Sequence, residues 1–157
     1  MIIAGVAKGL TWEGVKVGEQ LPELVLPITR LRAASHPAAT RDYFPGHHDV
    51  EYAHAQGQPD IYVNTMFLHG VLDRLVLDWA GPAWFISRRK MAMLSSIYVG
   101  DTLTASGVVR KRRVTETEDR VVTIDIKVGT ADGLRVTGET DLMLPWRHYY
   151  ERTPGNE

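Results

Sequence analysis

The chain has 157 residues, a formal net charge of −1 and no cysteine. This length suits one domain over residues 1–157, with a core over about 15–145 and a C-terminal tail at 146–157. The near balance of 18 basic and 19 acidic residues argues against a nucleic acid partner, and the lack of cysteine excludes disulfides and thiolate chemistry. No signal-like segment and no apolar run of about 18 residues is present, so we expect a cytoplasmic protein with no membrane partner.

The first third of the chain contains short elements separated by proline and glycine. Residues 21–30 predict an edge strand, because their two prolines would interrupt the hydrogen bonds of a central strand. Residues 31–39 are predicted as a short helix or a connector. Further on, Asp49 suits an N-cap and Gly57 a C′ position, which predicts a helix of about two turns between them.

The most regular helical pattern lies in the middle of the chain, over residues 65–79. Its apolar side chains recur at intervals of three and four residues, as one face of a helix requires: Met66, Leu68, Val71, Leu72, Leu75, Val76 and Trp79. Asn64 or Thr65 suits the N-cap, and Gly81-Pro82 ends the pattern. We therefore expect a helix that is enclosed on much of its circumference.

The remainder of the chain predicts strands over residues 83–99, 101–114, 120–130 and 134–145, which are rich in Val, Ile, Thr and Leu. Asp132-Gly133 between the last two is a strong hairpin signal. One buried helix followed by consecutive strands argues against parallel βαβ units. The order indicates an α+β hot-dog fold, in which one antiparallel sheet wraps around one long central helix.

Polar side chains crowd the stretch before this helix, over residues 41–49. Asp42 and His47 are five residues apart, on either side of Pro45-Gly46, which excludes a regular helix or a central strand. A turn there would bring both side chains to one common point, as in many loop-borne sites. Read alone, the stretch fits a solvated turn with an Asp cap equally well.

This stretch, Asp42-Tyr-Phe-Pro-Gly-His47-His-Asp49, resembles the Asp-x-Asn-Pro-x-His-x-Asp signature of the MaoC-like (R)-specific enoyl-CoA hydratases and dehydratases. Val17-Gly-Glu-Gln-Leu-Pro and Tyr98-Val-Gly-Asp-Thr also look like family segments, so the resemblance covers about residues 15–145. Asp60-Ile-Tyr-Val-Asn64 is similar to a branch of small MaoC-like subunits in two-subunit hydratases that act on steroid side chains.

The sequence departs from the family pattern at two places. Phe44 stands where the family has Asn, so any hydrogen bond made by that amide is missing. Asn64-Thr65 stands where the family has His-Gly at the start of the central helix. A backbone N–H is present whatever the side chain, so the second departure leaves the oxyanion donor of the family in place.

The resemblance implies hydration of a 2-enoyl-CoA to the 3-hydroxyacyl-CoA, or the reverse dehydration, on a bulky steroid-like chain and without a cofactor. Asp42 would be the general base and His47 would orient the same water. The backbone N–H of Thr65, at the positive end of the helix dipole, would stabilise the thioester oxygen.

Three further residues are candidates for contacts with the substrate or with coenzyme A. Asn64 lies beside the expected oxyanion position. Arg88 and Lys90 share one face of a predicted strand. That strand face fits contact with phosphate groups, but it fits a solvated surface better.

Several alternatives stay open at this level. His48, Asp49 and His54 suggest a metal, but no HExxH or other ordered spacing is present and capping explains Asp49, so we expect none. The chain would bind acyl-CoA and would form either a homodimer or a heteromer with a second MaoC-like subunit. It could instead be an assembly subunit without its own activity, or a hot-dog acyl-CoA thioesterase.

Overall fold

The computed structural model describes residues 9–144, and the predicted tail at 146–157 lies outside them. Four helical and five strand segments follow one another in these residues: β1 (Leu24–Pro27), α1 (Arg30–Thr40), a 3-10 turn (Pro45–His47), α2 (Val50–Ala55), α3 (Thr65–Ala80), β2 (Phe85–Met93), β3 (Thr102–Val114), β4 (Arg120–Thr130) and β5 (Gly133–Leu144). No helix within 9–144 has the length and apolar character needed to cross a membrane.

The five strands form one antiparallel sheet in the order β1-β3-β4-β5-β2. At the predicted Asp132-Gly133 turn, Gly133 adopts a φ of +117°, which favours glycine. Helix α3 lies against one face of this sheet and has contacts with β2, β3 and β5. The predicted α+β class, with one antiparallel sheet around a long helix, is confirmed.

Helix α3 supplies the centre of the hydrophobic core, which buries seven of its side chains: Phe67, Leu68, Val71, Leu72, Leu75, Val76 and Ala80. The predicted N-cap is confirmed, because the Asn64 Oδ1 accepts from the Phe67 N–H at 2.9 Å. The helix ends where Gly81 adopts a φ of +86° and its N–H bonds the Leu77 carbonyl at 2.8 Å.

Two strand predictions were too long. Residues 83–99 were predicted as one strand, but β2 ends at Met93, where the regular pairing with β5 stops and the N–H groups of Leu94 and Ser95 both donate to the Arg135 carbonyl, at 2.8 and 3.4 Å. Beyond that point the chain bonds residues 61–63 instead, with Val63 N–H donating to the Ile97 carbonyl at 3.0 Å.

The edge strand predicted over residues 21–30 is also shorter in the structure, where it spans Leu24–Pro27. At its C-terminal end the reason is local, because Thr29 belongs to the next helix: its hydroxyl caps α1 by accepting from the Arg32 N–H at 3.2 Å. The segment described as a helix or a connector is a full helix, α1, despite Pro37 within it.

Two glycines provide a matched test of how α3 meets the sheet. A Cβ on Gly138 would lie 2.7 Å from Leu72 Cδ2, whereas a Cβ on Gly70 of α3 would meet nothing within 4 Å. We expect Gly138→Ala to lower the free energy of unfolding by about 1–3 kcal/mol through overpacking. Gly70→Ala should raise it by about 0.5–1 kcal/mol, because alanine favours a helix. Urea denaturation of both variants measures this difference, and equal effects would contradict the packing described.

Candidate active site

Asp42 is presented by the end of α1. The helix terminates at Arg41, which adopts a left-handed conformation with a φ of 56°, and the Asp42 N–H then bonds the Pro37 carbonyl at 2.9 Å. The Asp42 Oδ1 accepts from the Phe44 N–H at 3.4 Å. Backbone contacts therefore hold both the main chain and one carboxylate oxygen, which leaves Oδ2 for other partners.

His47 is buried at the end of the 3-10 turn, where the backbone and two aromatic rings fix its ring. Its Nδ1 lies 2.8 Å from the Tyr62 carbonyl oxygen. The rings of Phe44 and Tyr62 stand edge-on to the imidazole, at 5.4 and 5.2 Å between centroids. Gly46 permits this packing, because a Cβ there would lie 2.6 Å from the Phe44 ring and 2.7 Å from the Tyr62 hydroxyl.

The turn brings the two predicted catalytic side chains together. His47 Nε2 lies 3.4 Å from Asp42 Oδ2, with the histidine side chain 10% and the aspartate side chain 35% exposed. A carbonyl oxygen only accepts, so Nδ1 carries a hydrogen, and in the neutral ring Nε2 is an acceptor. Two acceptor atoms thus face one point that solvent reaches, and one water molecule can donate a hydrogen to each.

Asn64 joins this pair to α3. Its Nδ2 donates to Asp42 Oδ2 at 3.1 Å and to Thr40 Oγ1 at 3.0 Å, while its Oδ1 accepts from the Phe67 N–H. The residue is fully buried, and both of its amide hydrogens are engaged within the chain. Asn64 therefore positions Asp42 in this structure, and its contact with the substrate stays a prediction.

The first backbone amides of α3 lie next to this arrangement. Asn64 satisfies the N–H of Phe67, whereas the N–H groups of Thr65 and Met66 find no acceptor among residues 9–144. Unpaired amides at a helix N-terminus bind negative charge. The predicted oxyanion position at Thr65 is thus available, and Met66 offers a second donor that the sequence analysis did not consider.

The two basic candidates lie elsewhere. Arg89 reaches α3, where it bonds the His69 carbonyl and the Asp73 carboxylate, so its strand neighbours Arg88 and Lys90 point to the opposite, outer face of the sheet. Arg88 Nη1 lies 2.6 Å from Glu139 Oε1 there. The structure therefore does not bring Arg88 and Lys90 to the Asp42–His47 pair, and their contact with coenzyme A stays a prediction.

A second polar cluster, which the sequence analysis did not predict, lies between α3 and β2. It contains His69, Asp73 and Arg89, and the Nδ1 of His69 and Nε of Arg89 are buried without a partner in the described residues. Burial, and then the charge of Arg89, lower the pKa of His69 below its ordinary value of 6.5.

This shift predicts a pH dependence of stability. As the pH falls through about 6.5 the unfolded chain binds a proton at His69 that the folded chain resists, so the free energy of unfolding decreases with acidity. In His69→Gln that part of the decrease should be absent. Urea denaturation of wild type and variant between about pH 7.5 and 5.5 tests this, and parallel pH curves would contradict it.

Within residues 9–144 no three His, Asp or Glu side chains converge in a way that could hold a metal ion. His48 is exposed and Asp49 caps α2 by accepting from the Tyr52 N–H at 3.0 Å, as predicted. The expectation of a site without metal or cofactor stays a prediction.

The chain is similar to known proteins both in sequence and in fold. The family model of the MaoC like domain matches residues 16–130. The chain is 36% identical over 128 residues to the 3-oxo-4,17-pregnadiene-20-carboxyl-CoA hydratase beta subunit of Mycobacterium tuberculosis, a match that covers 82% of this chain and 95% of that protein.

The fold of the chain also matches solved structures. The ChsH1–ChsH2 complex from Mycobacterium tuberculosis matches with a TM-score of 0.75 and 35% identity, over 82% of this chain and 98% of the matched chain. The (R)-hydratase from A. caviae, at 24% identity, matches with a TM-score of 0.76 over 85% and 99% of the two chains and supports the fold alone. Family model, sequence relative and hot-dog fold agree, and the chain belongs to the MaoC-like dehydratase family.

Proposed function

We propose that this protein is the catalytic subunit of an enoyl-CoA hydratase, which adds water to a 2-enoyl-CoA to form the 3-hydroxyacyl-CoA or catalyses the reverse dehydration. The observation that carries this proposal is the meeting of Asp42 Oδ2 and His47 Nε2, 3.4 Å apart, near the start of α3, where the Thr65 and Met66 amides find no acceptor within residues 9–144. No metal or organic cofactor is part of the proposal.

In the proposed reaction a single water molecule donates one of its hydrogens to Asp42 and the other to His47. A lone pair of the water oxygen is then free to attack the alkene. Asp42 takes the proton as the C–O bond forms at Cβ, and the electrons of the double bond move toward the thioester carbonyl. The amides of Thr65 and Met66 stabilise the resulting negative oxygen. The proton then passes from Asp42 to Cα, so hydrogen and hydroxyl add to the same face and both groups regain their starting state.

Asn64 and Tyr62 prepare these two groups for that role. The Asn64 amide turns Asp42 Oδ2 toward the histidine, and the Tyr62 carbonyl keeps the Nδ1 hydrogen of His47 away from the water site. Two acceptors fixed before the substrate arrives reduce the reorganisation needed in the transition state.

A bulky acyl chain and a second subunit complete the proposal. The similar Mycobacterium tuberculosis protein is named as a subunit of a hydratase of a pregnadiene carboxyl-CoA, and the similar structure is a two-component complex. Tyr43 and Phe44 stand exposed next to Asp42, and they offer apolar ring surface where the family motif has a polar Asn. We propose that polycyclic acyl-CoA is preferred and that a different MaoC-like subunit completes the pocket.

The test is an absorbance assay of the conjugated thioester, with 3-oxo-4,17-pregnadiene-20-carboxyl-CoA and a short 2-enoyl-CoA as substrates. The chain is assayed alone and after reconstitution with a second MaoC-like subunit. Loss of the enoyl absorbance with the polycyclic substrate, and slower loss with the short one, is the expected result. Release of free thiol without hydration would indicate a thioesterase, and activity that resides wholly in the partner would make this chain an assembly subunit. Either result would overturn the proposal.

A further inference from the structure

The ring of Phe44 lies between the imidazole of His47 and the ring of Tyr52, a residue in the first turn of α2. Its centroid is 5.4 Å from that of His47 and 5.6 Å from that of Tyr52, and both contacts are edge-on. Aromatic rings attract one another in this arrangement. Three rings in contact thus connect α2 to the histidine of the candidate site.

Phe44 depends on the contact with Tyr52, because the core holds its ring only in part. The residue is 43% exposed. Gly46 lies beneath the ring, where a Cβ would come within 2.6 Å of Phe44 Cε1, so glycine lets the ring approach but offers no side chain to hold it. Within residues 9–144, Phe44 pairs only with the rings of His47 and Tyr52. Tyr52 is therefore the ring that can keep Phe44 against the histidine.

Tyr52 is itself held in place at the start of α2. Its N–H donates to Asp49 Oδ1 at 3.0 Å, and this is the cap that the sequence predicts. The N–H of Asp49 donates in turn to the Pro45 carbonyl at 2.8 Å, which ties the cap to the 3-10 turn that carries His47. The 3-10 turn, the cap and the start of α2 are thus hydrogen-bonded in series, and they fix where the Tyr52 ring can stand.

His47 needs support from its sides, because a hydrogen bond fixes only one atom of its ring. The Nδ1 atom lies 2.8 Å from the Tyr62 carbonyl oxygen, and rotation about that contact would carry Nε2 away from Asp42 Oδ2, which lies 3.4 Å from it. Tyr62 and Phe44 provide the two ring contacts that oppose this rotation. Without Phe44, the Tyr62 ring alone would define the plane of the imidazole.

We propose that Tyr52 is a positioning residue for His47 and that it acts through the ring of Phe44. An aromatic pair then does by packing what a polar Asn at position 44 could do only by hydrogen bonding. Within residues 9–144, Tyr52 makes no hydrogen bond or ring pair with Asp42 or His47, so its effect on catalysis must pass through Phe44. This inference rests on the proposed function, since it assigns a further residue to the hydration of the enoyl thioester.

Steady-state kinetics of variants of the full chain, reconstituted with the second subunit, tests this inference. Tyr52→Leu removes the ring, so its kcat should fall about tenfold while KM stays within about twofold of wild type, because a displaced catalytic group costs rate rather than binding. Tyr52→Phe keeps the ring and should retain more than about half of the wild-type kcat. Val50→Ala is the control on the same helix, because Val50 packs against the core, and its kcat should also stay within about twofold of wild type.

A double variant shows whether Tyr52 acts through Phe44. Phe44→Leu should lower kcat at least as far as Tyr52→Leu does, since it removes the contact with His47 directly. Adding Tyr52→Leu to Phe44→Leu should then lower kcat by less than about a further twofold, because the two residues belong to one chain of contacts. Losses that multiply would mean that Tyr52 acts by another route.

Nuclear magnetic resonance relaxation of the His47 ring, in protein labelled at histidine Cε1, gives a second readout that needs no substrate. His47→Gln identifies its signal among those of the six histidines. We expect greater ring motion in Tyr52→Leu than in wild type, Tyr52→Phe or Val50→Ala. This result in a chain without hydratase activity would support the positioning and overturn only the proposed function.

The inference itself is overturned by any of four results. They are an unchanged His47 signal in Tyr52→Leu, a kcat of that variant above about half of the wild-type value, an equal loss of kcat in Tyr52→Phe or Val50→Ala, and losses that multiply in the double variant.

Discussion

Replacement of Asp42 by Asn is expected to lower the kcat of enoyl-CoA hydration by about a thousandfold, while KM changes little. The substitution keeps the shape of the side chain and removes the group that accepts the proton from water. General acid–base catalysis by one positioned side chain contributes about 10²–10⁴ in rate. The Phe44 N–H can still bond the side-chain oxygen, so the local fold should persist. Steady-state kinetics of the reconstituted enzyme gives both constants.

The neighbouring histidines provide the matched control. His47→Gln should lower kcat by about a hundredfold or more, because the acceptor at Nε2 is lost. His48→Gln removes an exposed ring outside the site and should leave kcat within about twofold of wild type. Asp42→Asn or His47→Gln with more than a tenth of the wild-type kcat would contradict the assignment of this pair.

Asn64 should show the next largest effect, and two substitutions separate its two roles. Asn64→Ala removes the cap of α3 and the donor to Asp42, so stability should fall by about 2 kcal/mol and kcat should also fall. Asn64→Ser keeps a capping hydroxyl but is too short to replace the amide donor. We therefore expect its stability to lie within about 1 kcal/mol of wild type and its kcat to fall about tenfold.

Urea denaturation and kinetics on the same preparations decide between the roles of Asn64. If the residue only caps the helix, Asn64→Ser should recover both stability and kcat. Recovery of stability without recovery of kcat supports the positioning of Asp42. Thr40→Val offers a second control, because Thr40 shares the Asn64 Nδ2 donor but makes no contact with the carboxylate.

The meeting of Asp42 and His47 could be predicted because its geometry is local. Asp42 and His47 lie on one loop, and Pro45-Gly46 permits only a tight turn between them. The role of Asn64 could not be predicted in the same way, since its contact to Asp42 spans 22 residues of chain. Nothing in the local pattern shows which buried amide faces a carboxylate when two distant segments fold together.

The fold was predictable where one physical signal was strong, as in the apolar spacing of α3 and the Asp132-Gly133 hairpin. The fold was less predictable where two signals competed. The β-rich sequence after Met93 suits a strand, yet residues 97–99 bond residues 61–63 instead of β5, and the local pattern does not show which distant segment a strand will pair with. The cluster of His69, Asp73 and Arg89 was missed because it joins a helix and a strand through side chains alone.

The most direct test of the central proposal is the stereochemistry of hydration in deuterium oxide. One water held by Asp42 and His47 delivers both hydroxyl and proton from one side, so the product should carry its deuterium at Cα on the same face as the new hydroxyl at Cβ. Nuclear magnetic resonance of the 3-hydroxyacyl-CoA distinguishes the two diastereomers. A single product of syn addition is the predicted result. Anti addition, or a mixture of the two, would contradict the delivery of water and proton by this pair.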